Sequence, residues 1–259
     1  MMKRFILQEM LPEVNKLNLQ IKNNHNYVSK KKKNIDPVTR YDLLIEKKIR
    51  SIIKKKFPKH SIIGEEYDDE IVKNSDYSWV IDPIDGTKAL IMGQPTWSNL
   101  IGLYHKNIPI LSMANFPILN KCYIADSSGA YVINKDKIKK IRSSKIKDIK
   151  RSKMVTNSIH TFINKKIYIF FKNYKYFFKI SGSDAYNFCL LCEGKIDLLF
   201  ECGLKQVDIL PLKKLIIESG AYLTDWNGTN NTSKGAIILA SNKEVHKSFL
   251  KILKKNKIK

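Results

Sequence analysis

Between Glu65 and Asp85 the chain gathers eight acids, Glu65, Glu66, Asp68, Asp69, Glu70, Asp76, Asp82 and Asp85, against one base, Lys73, although the whole sequence holds 47 Lys and Arg against 24 Asp and Glu. Carboxylates that converge in a fold raise one another's pKa and oppose folding unless a cation neutralises them. The run Trp79-Val-Ile-Asp82-Pro-Ile84-Asp85-Gly86-Thr87 sets two of these acids three residues apart, where an apolar strand gives way to a Gly-Thr turn. The cluster therefore predicts a bound metal at this junction. Asp68 to Glu70 fit a solvated loop equally well.

With 259 residues, 43% of them hydrophobic and 27% charged, the chain can bury a large core and is too apolar for general disorder. No apolar run approaches the roughly 18 to 20 residues of a membrane span, and the opening Met1-Met-Lys-Arg-Phe-Ile-Leu-Gln-Glu9 brings charge too early for a signal-peptide core. A cytoplasmic protein with no membrane partner is expected. Cys122, Cys189, Cys192 and Cys202 are too few and too scattered for a disulfide framework, and Cys189-Leu-Leu-Cys192 reads as two core thiols. The net charge of +23 invites a nucleic-acid partner. However, only five bases are arginine, and the runs Lys30 to Lys33, Lys54 to Lys56 and Lys254 to Lys259 lack the arginines and aromatics that base recognition prefers. Solvated lysine faces are expected, with no nucleic acid bound.

Apolar spacing predicts a helix over Pro12 to Ile21, with Val14, Leu17 and Ile21 on one face, and a second along Tyr41, Leu44, Ile45, Ile49, Ile52 and Ile53. Thr39 and Asp42 have capping-box spacing at the start of the second. Short strands follow at Ser61 to Gly64, Tyr77 to Ile81, Leu100 to Tyr104, Ile108 to Asn115, Lys121 to Ala125 and Ala130 to Ile133, the last four an antiparallel meander. Lys135 to Lys153 is lysine-rich and unpatterned, a passage between halves 1–134 and 135–259. The second half alternates strands at Met154, Phe177, Ile196, Tyr222 and Ala236 with helices near Phe162, at Asp184 to Cys192 and at Asp208 to Ser219, the pattern of a layered α/β domain.

Gly64-Glu65-Glu66, Trp79 to Thr87, Gly182-Ser183-Asp184, Glu201 and Asp208 stand in an order that resembles the inositol-monophosphatase family of magnesium-dependent phosphatases. Pro37-Val38-Thr39 to Asp42 and Thr224-Asp225-Trp226-Asn227-Gly228 extend the likeness over most of the chain. The resemblance implies a layered αβαβα sandwich of the inositol-monophosphatase and fructose-bisphosphatase type, mixed α+β and α/β in class. The first half would carry most metal ligands and the second the substrate contacts and the distal ligand.

Carried over by that resemblance, Glu65, Asp82, the Ile84 carbonyl, Asp85 and Asp208 are the ligands of two or three Mg²⁺, an all-oxygen set that hard cations prefer. Asp42, Glu65 and Thr87 are the catalytic residues: Thr87 orders a metal-activated water and is itself held by Asp42, while Glu65 helps to take the proton. Asp85, Gly86, Thr87, Ser183, Asp184, Glu201 and Asp208 contact substrate, with Gly86 and Thr87 opening a helix whose free N–H groups suit phosphate. A homodimer is implied as well. The Asp-x-Asp-Gly-Thr motif of aspartyl-phosphate enzymes does not fit, because two residues separate Asp82 from Asp85.

Within the family, Gly86 to Trp97, Gly182-Ser-Asp184-Ala-Tyr186 and Leu204-Lys205-Gln-Val-Asp208 look most like the histidinol-phosphate phosphatase branch. That likeness implies hydrolysis of L-histidinol phosphate in histidine synthesis, with Asp184 and Glu201 facing the substrate's ammonium. Asp184 also suits a plain helix cap. Ser98-Asn99, where that branch usually has Gly-Thr, and Lys179, in place of a common Arg, are departures that bear on substrate choice. The alternatives are an inositol 1-phosphate or broader inositol-phosphate phosphatase, a 3'-phosphoadenosine 5'-phosphate phosphatase, and a basic RNA-associated protein with a vestigial site. Lys30 to Lys33, ahead of Asp42, is a candidate lid.

Overall fold

Helical spacing of apolar residues builds the first layer. Met2–Phe5 (α1), Ile6–Met10 and Leu11–Lys22 (α2) follow directly on one another in the computed structural model, which describes residues 2–22, 29–31, 37–135, 137–157, 165–174 and 177–258. Ser29–Lys31 (β1) pairs antiparallel with Pro37–Thr39 (β2) ahead of Arg40–Lys56 (α3). The predicted capping box forms at the start of α3: the Tyr41 N–H donates to Thr39 Oγ1 at 3.2 Å, and the Thr39 N–H donates to Asp42 Oδ2 at 2.8 Å. Lys32 and Lys33 of the candidate lid, and the helix expected near Phe162, lie outside the described residues.

Seven strands make the second layer: Ser61–Gly64 (β3), Tyr77–Asp85 (β4), Ser98–His105 (β5), Ile108–Phe116 (β6), Lys121–Asp126 (β7), Gly129–Asn134 (β8) and Lys137–Lys140 (β9), with the short helix Thr87–Ile91 (α4) between β4 and β5. They pair in chain order, β3 parallel to β4 and the rest antiparallel. β9 falls in the stretch read as unpatterned. It is an edge strand with all four residues exposed and three of them lysine, so it carries no alternation to betray it and its charges discourage edge pairing.

The second sheet orders Met154–Thr156 (β10), Phe178–Ile180 (β11), Leu198–Glu201 (β12), Tyr222–Asp225 (β13) and Ile237–Ala240 (β14) as β11-β10-β12-β14-β13. Between the sheets lie Asp184–Cys192 (α6) and Lys213–Ser219 (α8), whose Phe188, Leu191, Leu215 and Ile216 bury against Leu100, Phe116 and Tyr123 on one side and Leu199, Ile237 and Leu239 on the other. Lys165–Lys172 (α5) and Lys243–Lys255 (α9) cover the outer face with Ile167, Phe170, Phe171, Val245, Phe249 and Leu253. The five layers are αβαβα. Cys189 and Cys192 are buried free thiols in the middle layer, and no helix among the described residues is long and apolar enough to cross a membrane.

The helix expected over Asp208 to Ser219 is three pieces: Gln206–Ile209 (α7), a 3₁₀ turn at Leu210–Leu212, and α8. Pro211, lacking an N–H, favours the break. Asp208 accordingly sits at the third position of α7 instead of opening a long helix. This segment is pressed onto the sheet at Gly102, where a Cβ would stand 2.7 Å from Pro211 Cα, so only glycine permits the approach. Tyr104 Oη donates to the Leu210 carbonyl at 2.8 Å and the Lys214 N–H to Ser112 Oγ at 3.0 Å.

A buried ion pair fixes the chain after β3. Glu46 and Arg50, 0% and 5% exposed on α3, meet at 2.8 Å. Glu46 also accepts the N–H of Glu66 at 2.8 Å, and Arg50 donates to the Tyr67 carbonyl at 3.2 Å and to Glu70 at 3.0 Å. Removing one partner strands a buried charge, so Glu46→Ala is expected to cost about 3 to 5 kcal/mol of stability in urea denaturation, more than a surface pair such as Lys106 with Asp76.

Candidate metal centre and active site

Alternation along β4 decides which acids meet. Trp79 and Ile81 face the N-terminal helices, so Val80 and Asp82 face the other way, where Val80 packs with Val207 of α7. Regular pairing of β4 with β5 stops at Asp82↔Leu100 and resumes at Asp85↔Ser98, a bulge that takes the Pro83 and Ile84 carbonyls out of the ladder. Asp85 is thereby turned toward the same bay. Oxygens of Asp82, Asp85 and Asp208 lie within 4.8 Å of one another.

Glu65 joins them from the end of β3: its carboxyl hydrogen-bonds with that of Asp82, and Lys205 Nζ reaches Glu65 Oε1 at 2.8 Å. Thr87 Oγ1 lies 3.3 Å from Asp42 Oδ1 and 3.2 Å from the Ile84 carbonyl, while Asp42 Oδ2 remains engaged in the capping box. Helix capping and contact with Thr87 therefore coexist in one carboxylate. Gly86 holds φ +82°, a left-handed backbone that a residue with a Cβ resists, and it is this turn that aims Thr87 back at Asp42.

The second sheet brings the remaining predicted residues. Asp184 opens α6, where the Ala185 N–H donates to Asp85. Ser183, at φ +76°, shares a hydrogen bond with Thr96 from the turn before β5. Glu201, at the end of β12, is 0% exposed; the Asn187 amide, which donates to the Ser181 carbonyl at 2.9 Å, is the hydrogen-bond donor beside it.

The electrostatics follow from burial and crowding. Burial, then Glu65, Asp85 and Asp208, push the Asp82 carboxyl well up. Burial, Asp184 and Asp208 do the same for Asp85, against the Ala185 N–H. Burial raises Asp184 to about 6 and Asp208 to about 7, and drives Glu201 well above the usual range with help from Asp184 and Asp85. One Asp82 oxygen has no hydrogen-bond partner. Acids that repel one another, an orphaned buried oxygen and all-oxygen donors fit a hard divalent cation such as Mg²⁺ and do not suit a soft metal.

Sequence reasoning missed Glu46, Arg50 and Lys205. The first two have the spacing of an ordinary i, i+4 helix pair, and their place beside Ile45 and Ile49 on the apolar stripe is the one signal of burial the sequence offers. Lys205, three residues before Asp208, gave no signal as a partner for an acid 140 residues away.

These shifts have a definite pH consequence. Unfolded carboxyls titrate near ~4, whereas the folded metal-free protein holds protons on Asp184 to about 6 and on Asp208 to about 7. Their contribution to stability in a chelator is then fully present near pH ~4 and falls as pH rises to about 7, because the folded state binds the extra protons. Mg²⁺ replaces those protons and should cancel the fall. Unfolding midpoints measured across this range, with chelator and with Mg²⁺, check both signs.

The arrangement has clear relatives. The chain is 33% identical over 234 residues to Bifunctional phosphatase IMPL2, chloroplastic, of Arabidopsis thaliana, a match covering 86% of this chain and 66% of that protein, just under two thirds of its length. It is 28% identical over 217 residues to Nus factor SuhB of Escherichia coli, covering 83% and 81% of the two chains. A shorter match, 31% over 84 residues, covers 32% each of this chain and of Histidinol-phosphatase of Mycobacterium tuberculosis. The solved structure of the Thermotoga maritima IMPase superposes with a TM-score of 0.83 at 25% identity, over 99% of this chain and 98% of the other. The family model described as inositol monophosphatase family matches residues 6–257. By its sequence, its layers and its cluster of acids, the chain belongs to the inositol monophosphatase family of phosphatases.

Proposed function

We propose that the chain is a Mg²⁺-dependent phosphomonoesterase whose substrate is L-histidinol phosphate, with Glu65, Asp82, the Ile84 carbonyl, Asp85 and Asp208 holding the ions. The convergence of Asp82, Asp85 and Asp208 within 4.8 Å carries the first part. Bound there, Mg²⁺ supplies charge neutralisation for the phosphate and acidifies a nearby water. The chain's own residues do the rest. Asp42, as acceptor, draws the Thr87 hydroxyl proton toward itself, which leaves the Thr87 lone pairs to accept a water's O–H and orient it. Glu65 lies close enough to Asp82 and Asp208 to receive the proton released there. The N–H groups of Gly86 and Thr87 offer donors to phosphate oxygens.

Glu201 carries the choice of substrate. A fully buried carboxylate beside Asp184 and Asp85, with the neutral Asn187 amide as its neighbouring donor, favours a leaving group that brings a cation. Histidinol brings an ammonium and an imidazole, whereas inositol brings hydroxyls alone. A second reading rests on Lys88, which lies near enough to Asp184 to lower its pKa and so supplies one of these acids with a cation already. It favours inositol 1-phosphate or 3'-phosphoadenosine 5'-phosphate. A cytoplasmic homodimer completes the proposal.

Phosphate release from the three esters at equal concentration, with Mg²⁺, tests it. Preference for histidinol phosphate of about a hundredfold in kcat/KM is expected, roughly 2.7 kcal/mol of discrimination. Asp85→Asn should abolish turnover on every ester. Glu201→Gln should lower kcat/KM for histidinol phosphate about tenfold or more and spare inositol 1-phosphate. Equal rates on all three esters would mean a generalist. No Mg²⁺-dependent turnover on any would favour the RNA-associated reading.

A further inference from the structure

Four asparagines from three elements meet at the first core, Asn15 at its half-buried edge. Asn18 on α2, Asn99 on β5 and Asn115 on β6 are 2%, 0% and 4% exposed, on faces otherwise filled by Val14, Ile21, Ile101, Leu103, Leu111 and Met113. Asn18 Nδ2 donates to Asn99 Oδ1 at 2.8 Å and to Asn15 Oδ1 at 3.1 Å, and Asn115 Nδ2 donates to Asn99 Oδ1 at 2.9 Å and to Asn15 Oδ1 at 3.0 Å. Asn99 thus receives two hydrogens and directs its own Nδ2 at the Pro83 carbonyl, 2.7 Å away.

That carbonyl is one of the two freed by the bulge between Asp82 and Asp85. The other, on Ile84, lies 3.2 Å from Thr87 Oγ1. We infer that the Asn15–Asn18–Asn99–Asn115 cluster is a positioning device for the metal loop: it locks the peptide that precedes Ile84, and through Asn18 ties the orientation of that peptide to the seating of the N-terminal helix. Apolar residues would pack this site without leaving polar atoms to satisfy. The cost of burying the amides of Asn18, Asn99 and Asn115 is offset only if each is matched, here with the half-buried Asn15 as a further partner, and a matched network defines one geometry. None of the four belongs to the proposed set of metal ligands or substrate contacts. Their effect reaches the site through a backbone carbonyl, as an outer shell of hydrogen bonds tunes ligands elsewhere.

The inference rests on the Mg²⁺ site proposed above, and one set of titrations separates the two. Purified full-length protein is titrated calorimetrically with Mg²⁺ alone as wild type, Asn99→Ala, Asn18→Ala, the double variant, and Leu253→Ala, a core truncation in the distant cluster beneath α9. Asn99→Ala is expected to weaken Mg²⁺ binding about 10- to 100-fold and Asn18→Ala by roughly threefold or more. The double variant should be little worse than Asn99→Ala, since both act through one carbonyl. Leu253→Ala should lower the unfolding temperature in chelator without moving Mg²⁺ affinity. Asn18→Ala leaves Asn99 with its Asn115 donor, so it keeps the test decisive if Asn99→Ala fails to fold. Wild-type affinity in Asn18→Ala, or an equal loss in Leu253→Ala, would overturn the positioning role. Absence of Mg²⁺ binding by the wild type would instead overturn the metal site itself.

Discussion

Six carboxylates share one partly buried bay, and their mutual repulsion is the constraint around which the rest of the fold is arranged. Burial raises Asp82, Asp85, Asp184, Glu201 and Asp208 together, so each resists ionisation in the company of the others. A protein that only needed to be stable would not collect them. Holding them in place takes rigid supports on every side: the bulge in β4, the glycine that lets α7 and its following turn reach the sheet, and the Glu46–Arg50 pair that fixes the turn after β3. The layered architecture places these supports on different elements.

Lys205 shows how the chain itself answers part of the charge. Its ammonium meets Glu65 at 2.8 Å while its backbone N–H donates to Asp208 at 2.6 Å, so the same residue touches two of the proposed ligands. The contact with Asp208 is a capping interaction of α7, and it works against the rise that burial imposes on that carboxyl. With an overall excess of lysine, the chain has cations to spare, yet one Asp82 oxygen meets no donor and Glu201 stays buried beside Asp184 and Asp85. The local deficit in the bay, set against a basic exterior, is what an ion and an anionic ester would relieve together.

Much of this was legible in the residues, and the parts that were not share a cause. Asp82, Asp85, Gly86 and Thr87 lie in one short run whose junction of strand and turn can be seen directly, and Thr39 with Asp42 announced a capping box by spacing alone. The layers followed from alternation and helical periodicity. What escaped was information held between distant positions or hidden by a neutral pattern. The exposed lysines of β9 do not alternate; Pro211 divides a helix whose apolar spacing runs on regardless; and Asn18 sits one residue from Leu17, which the apolar face predicted, so its burial surfaces only when β5 and β6 bring Asn99 and Asn115 beneath it. Local periodicity reports which face is covered and is silent about which residue covers it.

The central claim is that this bay is a divalent-cation site. Crystals grown with Mn²⁺ as an anomalous scatterer in place of Mg²⁺ test it most directly. The account predicts anomalous peaks among the oxygens of Glu65, Asp82, Asp85 and Asp208 with the Ile84 carbonyl in contact, and Lys205 released from Glu65. Peaks confined to surface acids such as Asp68 and Asp69, with Lys205 still paired to Glu65 and Asp82 unligated, would contradict it.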